Sequence, residues 1–407
     1  MIKSLPVVFT ILLFAFTDPH ACTTAIVSGK FTPDGRPLLF KHRDTSFEQN
    51  KLMFFSDGRY KYIGLVNSAD PDGREVWAGF NSAGFAIINS ESYNLNVGDT
   101  TRLRDMEGVL MKKALQQCAT VEEFAEFLDN LAKPRGVRAN FGVIDARGGA
   151  AYFETGNTGF QKIDVNDQAV APFGYVIRTN FSATGVPDAG YGYIRYENAE
   201  RLFSKAAAAG ALSYRFILQE VSRSLYHSMT GVDLSRQLPA GEDTEFVCFE
   251  DFIPRNSSVA TTVIQGVLPG EPAGLTTMWT IPGFQLCTVA LPVWITDGGA
   301  LPQVTTAGGD GIAPLCDFGL QLKDRCFPVK RGSGKRYINL AAVMNQEGTG
   351  ILQQIIPLEN RILSHGSDLL NRWRVSGFSG SDAVKFYNWL DEIIPDEYMK
   401  LFDIHKK

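Results

Sequence analysis

An apolar leader stops at Ala21, a β-rich run starts at Thr23, and the residue between them is Cys22. Lys3 gives the leader a positive start. Leu5 to Phe16 is an almost unbroken apolar run, and Thr17-Asp18-Pro19-His20-Ala21 is a short polar stretch ending in a small residue. That is the layout of a secretion signal, here residues 1–21. The apolar run is too short for a spanning helix, which needs about 20 residues. Cleavage after Ala21 predicts a mature chain that begins Cys22-Thr23-Thr24. A terminal cysteine carries a thiol nucleophile and a free α-amine on one residue. The amine titrates at about 7.7–8.0, near enough to neutrality to act as the thiol's own general base. Two other readings compete. A cysteine just after a signal can be lipidated, giving an anchored binding protein without catalysis, but the Leu usual three residues earlier is Pro19 here. A buried cysteine near a strand start is the plain structural reading.

Composition narrows the field. The formal net charge is -5 with no basic tract, so there is no nucleic-acid footprint. No later segment is long and apolar enough for a membrane span. The reading is a soluble, exported chain, periplasmic or secreted. Five cysteines remain, Cys118, Cys248, Cys287, Cys316 and Cys326. Export permits disulfides, and Cys316 and Cys326 are close enough in sequence to pair, although connectivity is not fixed by spacing. No Cys/His spacing suits a metal. Gly308-Gly309-Asp310-Gly311 lacks the Lys-Ser/Thr of a phosphate cradle. With no linker or repeat to mark a boundary, residues 22–407 read as one domain, a core over about 22–300 and an elaboration over about 301–407.

The hydrophobic period changes along the chain. Thr23–Ser28 and Pro37–Lys41 flank the turn Thr32-Pro33-Asp34-Gly35, a hairpin with Cys22 at one end and Lys41-His42-Arg43-Asp44 at the other. Short strands follow at 51–55, 60–66, 75–80 and 85–89. Leu103 to Leu115 and Val121 to Leu131 then read as helices, the second with Thr120 and Glu123 as a capping box. Strands return at 140–144, 151–154, 159–163 and 174–179, helices at 193–208 and 214–225, strands at 258–267 and 278–291. The chain beyond Gly311 reads as loop until helices at about 351–373 and 381–401. Antiparallel sheets covered by helix layers make an α+β fold, predicted as a four-layer αββα sandwich with a helical C-terminal extension.

Four segments carry a resemblance. Cys22-Thr23-Thr24 with Lys41-His42-Arg43-Asp44 is the first, and Gly79-Phe80-Asn81-Ser82-Ala83-Gly84-Phe85 the second. Val176-Ile177-Arg178-Thr179-Asn180 is the third, and Gly192-Tyr193-Ile194-Arg195 the fourth. In this order they resemble the linear amide C–N hydrolases of the N-terminal nucleophile superfamily. That group takes in the choloylglycine hydrolases, penicillin V acylases and acyl-CoA:6-aminopenicillanate acyltransferases. The resemblance spans roughly Cys22 to Leu202; the region beyond about Leu301 matches nothing.

The resemblance implies roles. Cys22 attacks an amide carbonyl and forms a thioester. Asp44 orients the α-ammonium by a charge-assisted hydrogen bond. Asn180 is the oxyanion-hole donor, Asn89 the second oxyanion or substrate-contacting Asn, and Arg195 orders the site. Each has a plain alternative: Asp44 and Asn180 as turn residues at strand ends, Arg195 as a solvated helix residue. The sequence departs from choloylglycine hydrolases at Lys41, which stands where they carry Arg, while Arg43 adjoins the acid. Both read as substrate-binding cations, and a cation near a thiol favours the thiolate. This leans away from bile-acid amides and toward the acyltransferase-like branch. The expected partner is a small-molecule amide, with no cofactor and no metal. Acyl transfer to an amine is the alternative to hydrolysis, and a homo-oligomer is left open.

Overall fold

The computed structural model describes residues 21–101, 104–241, 244–308 and 311–404. Residues 1–20 of the expected signal at 1–21, Leu103 and part of the 308–311 glycine segment therefore lie outside the described residues. The chain opens with β1 (Cys22–Val27) and β2 (Leu38–Asp44), then crosses to a second sheet. There it lays down β3 (Asn50–Phe55), β4 (Tyr62–Asn67), β5 (Ala78–Asn81) and β6 (Ala86–Glu91). Helices α1 (Glu107–Gln117) and α2 (Val121–Asn130) follow, then β7 (Ala139–Ile144), β8 (Ala150–Thr155) and β9 (Phe160–Asp164) complete that sheet. The return strand β10 (Tyr175–Arg178) leads into α3 (Tyr193–Ala208) and the short α4 (Tyr214–Phe216). After β11 (Phe246–Cys248), the strands β12 (Ser258–Gln265), β13 (Thr277–Ile281) and β14 (Leu291–Val293) finish the first sheet. The remainder is α5 (Pro314–Cys326), β15 (Tyr337–Asn339), α6 (Leu340–Val343), α7 (Ile351–Ser376) and α8 (Gly380–Phe402).

The first sheet runs β10-β1-β2-β12-β13-β14 and the second β3 through β9 in sequence order, with every pairing antiparallel. The sheets face each other. Tyr152 of β8 donates to Thr24 Oγ1 of β1 at 2.8 Å, and a Cβ on Gly142 of β7 would meet Leu39 of β2 at 3.2 Å. Leu39, Ile88 and Tyr152 belong to the buried cluster between them, which continues through Trp279 and Trp294 to Leu363, Trp373 and Phe386 of α7 and α8. A second cluster covers the far face of the second sheet, where Leu110, Met111 and Leu115 of α1 and Phe124 and Leu128 of α2 pack on Phe85, Phe141 and Phe153. Helices outside, two sheets within: the four-layer αββα sandwich is the observed architecture.

Local chemistry explains most elements. Thr120 Oγ1 accepts from Glu123 N at 3.1 Å and caps the start of α2, while Glu123 Oε2 accepts from Ala119 N at 2.5 Å, one residue before the Thr120 N that a capping box would use. Three differences stand out. The 278–291 run is two strands, because Pro282-Gly283 interrupts the ladder. The segment past Gly311 contains α5, opened by Pro314 in the first turn. Cys316 and Cys326 lie at either end of α5, and all six cysteines are free thiols. At about 1.5 Å per residue along a helix they are too far apart to bridge, so that pairing is corrected. Cys326 instead lies 3.5 Å from Cys287. No helix among the described residues is long and apolar enough to cross a membrane.

Candidate active site

The pleat of β1 and β2 sorts the motif residues onto two faces. Cys22 pairs directly with Arg43, Thr23 with His42, and Thr24 with Lys41. Since side chains alternate, Cys22, Thr24, Lys41 and Arg43 point toward the second sheet, while Thr23, His42 and Asp44 point away from it. The inward set meets the second sheet at one end of the sandwich. Lys41 Nζ donates to Asn89 Oδ1 of β6 at 2.5 Å and to Trp77 O at 2.8 Å. Arg43 donates to Asn67 Oδ1 at 2.8 Å and to Asn50. Both cations lie over the Trp77 ring, at 5.7 Å and 4.9 Å from its centroid. Lys41, Arg43, Trp77, Asn89 and Cys22 line a cleft of about 240 Å³.

Cys22 is held by its backbone. Its N donates to Asn180 Oδ1 at 3.0 Å, and its carbonyl accepts from Arg195 Nη1 at 2.6 Å. Arg195 Nη1 also reaches Thr23 Oγ1 at 2.9 Å, and Nη2 reaches Asn180 Oδ1 at 2.8 Å. One guanidinium fork thus fixes three acceptors around the nucleophile candidate. Arg195 can reach them because the residue before α3 is Gly192, whose φ of 85° needs glycine and whose missing Cβ leaves room for the guanidinium. Burial holds Arg195 below its ordinary pKa, with Arg255 adding to the effect. Burial also lowers Lys41 from 10.5 to about 8 against the pull of Cys22, and lowers Arg43 to about 10.

All seven residues singled out in the sequence lie around this cleft or brace it, but two fill other roles than the resemblance implies. Asp44 makes no hydrogen bond to Cys22 N. Its carboxylate accepts from Arg255 Nη2 at 2.7 Å and from Ser258 Oγ. The reason is the two-residue strand period, which puts it on the face of His42. Ser258 Oγ, spending its proton on Asp44, accepts from His42 Nε2 at 2.9 Å, and Thr261 Oγ1 meets His42 Nδ1 at 3.1 Å. Burial pushes His42 down to about 4, so it is neutral. Asn180 is turned with its amide oxygen toward Cys22 N, and its Nδ2 donates to Glu91 O at 3.0 Å. It is an acceptor for the Cys22 nitrogen here. Asn89 has the complementary arrangement. Lys41 fixes its oxygen, and its Nδ2 has no hydrogen-bond partner among the described residues.

Trp77, Arg255, Ser258 and Glu107 are site residues that the sequence did not flag. Ser258 and Arg255 reach Asp44 through the pairing of β12 with β2, more than 200 positions away, and no local pattern announces that register. Trp77 and Glu107 sit at element ends, where periodicity is silent.

The family model described as acyl-coenzyme A:6-aminopenicillanic acid acyl-transferase matches residues 31–203. That span holds Lys41 to Arg195 and begins after Cys22. None of the curated proteins matches the chain. Among solved structures, it is similar to a conjugated bile acid hydrolase from Clostridium perfringens, at 12% identity over 67% of this chain and 92% of that one, with a TM-score of 0.41. It is similar also to the Caenorhabditis elegans ortholog of N-acylethanolamine-hydrolyzing acid amidase, at 13% identity over 62% and 94%, TM-score 0.36. A third likeness is to penicillin V acylase from Agrobacterium tumefaciens, at 13% over 68% and 86%, TM-score 0.35. The match over residues 31–203 takes in Lys41-His42-Arg43-Asp44 and the other three motifs of the resemblance, while Cys22-Thr23-Thr24 lies before it.

Proposed function

We propose that residues 1–21 are removed on export and that Cys22, then N-terminal, is the nucleophile of an enzyme that cleaves linear amides. The observation that carries this reading is the held nitrogen. Cys22 N rests on Asn180 Oδ1 at 3.0 Å, and Arg195 clamps that oxygen and the Cys22 carbonyl. One buried acceptor, Asn180 Oδ1, thus meets the Cys22 nitrogen beside a cleft with two cations, which supports an α-amine at that point.

The chemistry follows from the groups. The α-amine takes the thiol proton, and Sγ attacks the amide carbonyl carbon. Lys41 and Arg43 favour negative charge on sulfur. Asn89 Nδ2 is the donor available to the developing oxyanion; one such donor is worth about 2.7–4 kcal/mol of barrier. As the tetrahedral centre collapses, the C–N bond breaks and the leaving amine takes its proton from the ammonium. Water then attacks the thioester carbonyl, gives its proton to the α-amine, and the carboxylic acid and free thiol are released. With an acceptor amine in place of water, the same steps yield a new amide. The match to an acyl-transferase family supports testing that outcome alongside hydrolysis.

The test is intact mass and N-terminal sequencing of the exported protein, followed by an acid quench in the presence of an amide substrate. A start at Cys22, with an acyl adduct on the N-terminal peptide that Cys22→Ser abolishes, is expected. A lipidated Cys22, a start elsewhere, or a fully active Cys22→Ser protein would overturn the reading. Product analysis with added amines separates transfer from hydrolysis.

A further inference from the structure

The cleft beside Cys22 carries more carboxylate than its own surroundings pair. Asp44 is matched by Arg255 and Glu91 by Arg138, each at 2.7 Å. Glu75, Asp105 and Glu107 line the same cleft and have no ion pair among the described residues. The nearby cations are committed elsewhere, Lys41 to Asn89 and Trp77 O, Arg43 to Asn50 and Asn67. Glu107 is the telling member. It is 2% exposed, its Oε1 accepts from Arg138 N at 3.1 Å, and its Oε2 is buried with no hydrogen-bond partner. Trp77 Nε1, in the same wall, is likewise buried and unpartnered. A buried acceptor without a donor is unfavourable, more so when charged.

We propose that this part of the cleft is a subsite for an organic cation, a primary ammonium or guanidinium at the free end of the substrate, seated on Glu75, Asp105 and Glu107 against the indole of Trp77. Such a head brings several N–H donors for Glu107 Oε2 and its neighbours. It relieves the repulsion among three carboxylates, and it lies against an aromatic surface that favours cations. An anionic head meets like charge and is rejected. A metal ion fits less well, since no group of three His, Cys, Asp or Glu among the described residues is arranged to hold one. In keeping with this, burial and then Asp105 push Glu107 above the usual carboxylate range, and the same causes raise Glu75. The assignment of the ligand as substrate rests on the reading of Cys22 as nucleophile; the cation preference itself is a binding property.

The experiment uses the mature protein and three amides alike except for a terminal guanidinium, methyl or carboxylate. The set is made once with the varied end on the amine limb and once on the acyl limb. In parallel, pentylguanidine and valerate are titrated into Cys22→Ala by calorimetry. In one of the two sets the guanidinium amide is expected to exceed the methyl amide in kcat/KM by about tenfold or more, a gain of the size that close charge pairs give, with the carboxylate amide below both. Pentylguanidine binds and valerate does not. Glu75→Gln with Asp105→Asn brings the guanidinium-to-methyl ratio toward one, and Glu75→Gln alone lowers it partway. Preference for the methyl or carboxylate amide in both sets, or tighter binding of valerate, overturns the proposal. If no amide is cleaved yet pentylguanidine binds, the catalytic reading fails and the subsite stands. If amides are cleaved without regard to charge, the subsite fails and the catalytic reading stands.

Discussion

Lys41→Met separates what Lys41 does for the fold from what it does for the chemistry. Lys41 is 2% exposed, and its pKa falls from 10.5 to about 8, chiefly through burial. That fall corresponds to about 3 kcal/mol of unfavourable burial for the charged form. The sign follows from linkage. Below pH 8 both folded and unfolded chains hold the proton and the penalty is fully present. Between about 8 and 10.5 the folded chain has released it while the unfolded chain has not, so stability rises with pH across that window. Methionine removes the penalty but strands two acceptors, Trp77 O and Asn89 Oδ1, at about 1–3 kcal/mol each. At pH 7 the two nearly cancel, and the variant is expected within about 2 kcal/mol of wild type by urea denaturation. Between pH 7 and 10.5 the stability difference should move by about 3 kcal/mol in favour of wild type. Activity responds differently. Wild-type kcat/KM should fall above about pH 8 as the cation near sulfur is lost, whereas the variant is low throughout and lacks that limb. A stability difference that is flat with pH, or a variant that keeps both activity and the alkaline limb, would refute the reasoning.

Other consequences are as direct. Arg195→Lys cannot reach Cys22 O, Thr23 Oγ1 and Asn180 Oδ1 together, so kcat should drop about 10–100-fold with KM little changed; wild-type kcat would remove Arg195 from the site. Arg223→Met leaves Glu359 of α7 buried without its partner, for a loss of about 3–5 kcal/mol in a denaturant titration. Unchanged stability there would mean that α7 does not dock as described. Peptide mapping without reductant should find no Cys316–Cys326 bridge, and such a bridge would be incompatible with α5.

The sequence by itself determined most of the elements before Gly311 and the order of the four motifs. Thr120 with Glu123 starts a helix because both groups satisfy backbone N–H locally, and the β-rich run after Cys22 is a strand, buried on both faces. Such signals need only near neighbours, so they are legible without a fold. The resemblance likewise put Cys22, Lys41, Arg43, Asn89, Asn180 and Arg195 into one neighbourhood. What only the tertiary structure decided is which atom faces which. Asp44 stands one position past the inward-facing Arg43, and that single step of the pleat turns it to Arg255 and Ser258. Asn180 offers Cys22 its oxygen because Arg195 and Glu91 O fix the amide's orientation from opposite ends. Three carboxyl groups with no ion pair among the described residues share a cleft with Trp77 because the start of α1 packs beside the loop before β5. Register, amide orientation and long-range packing depend on contacts between distant segments, and a linear pattern does not encode them in any one place.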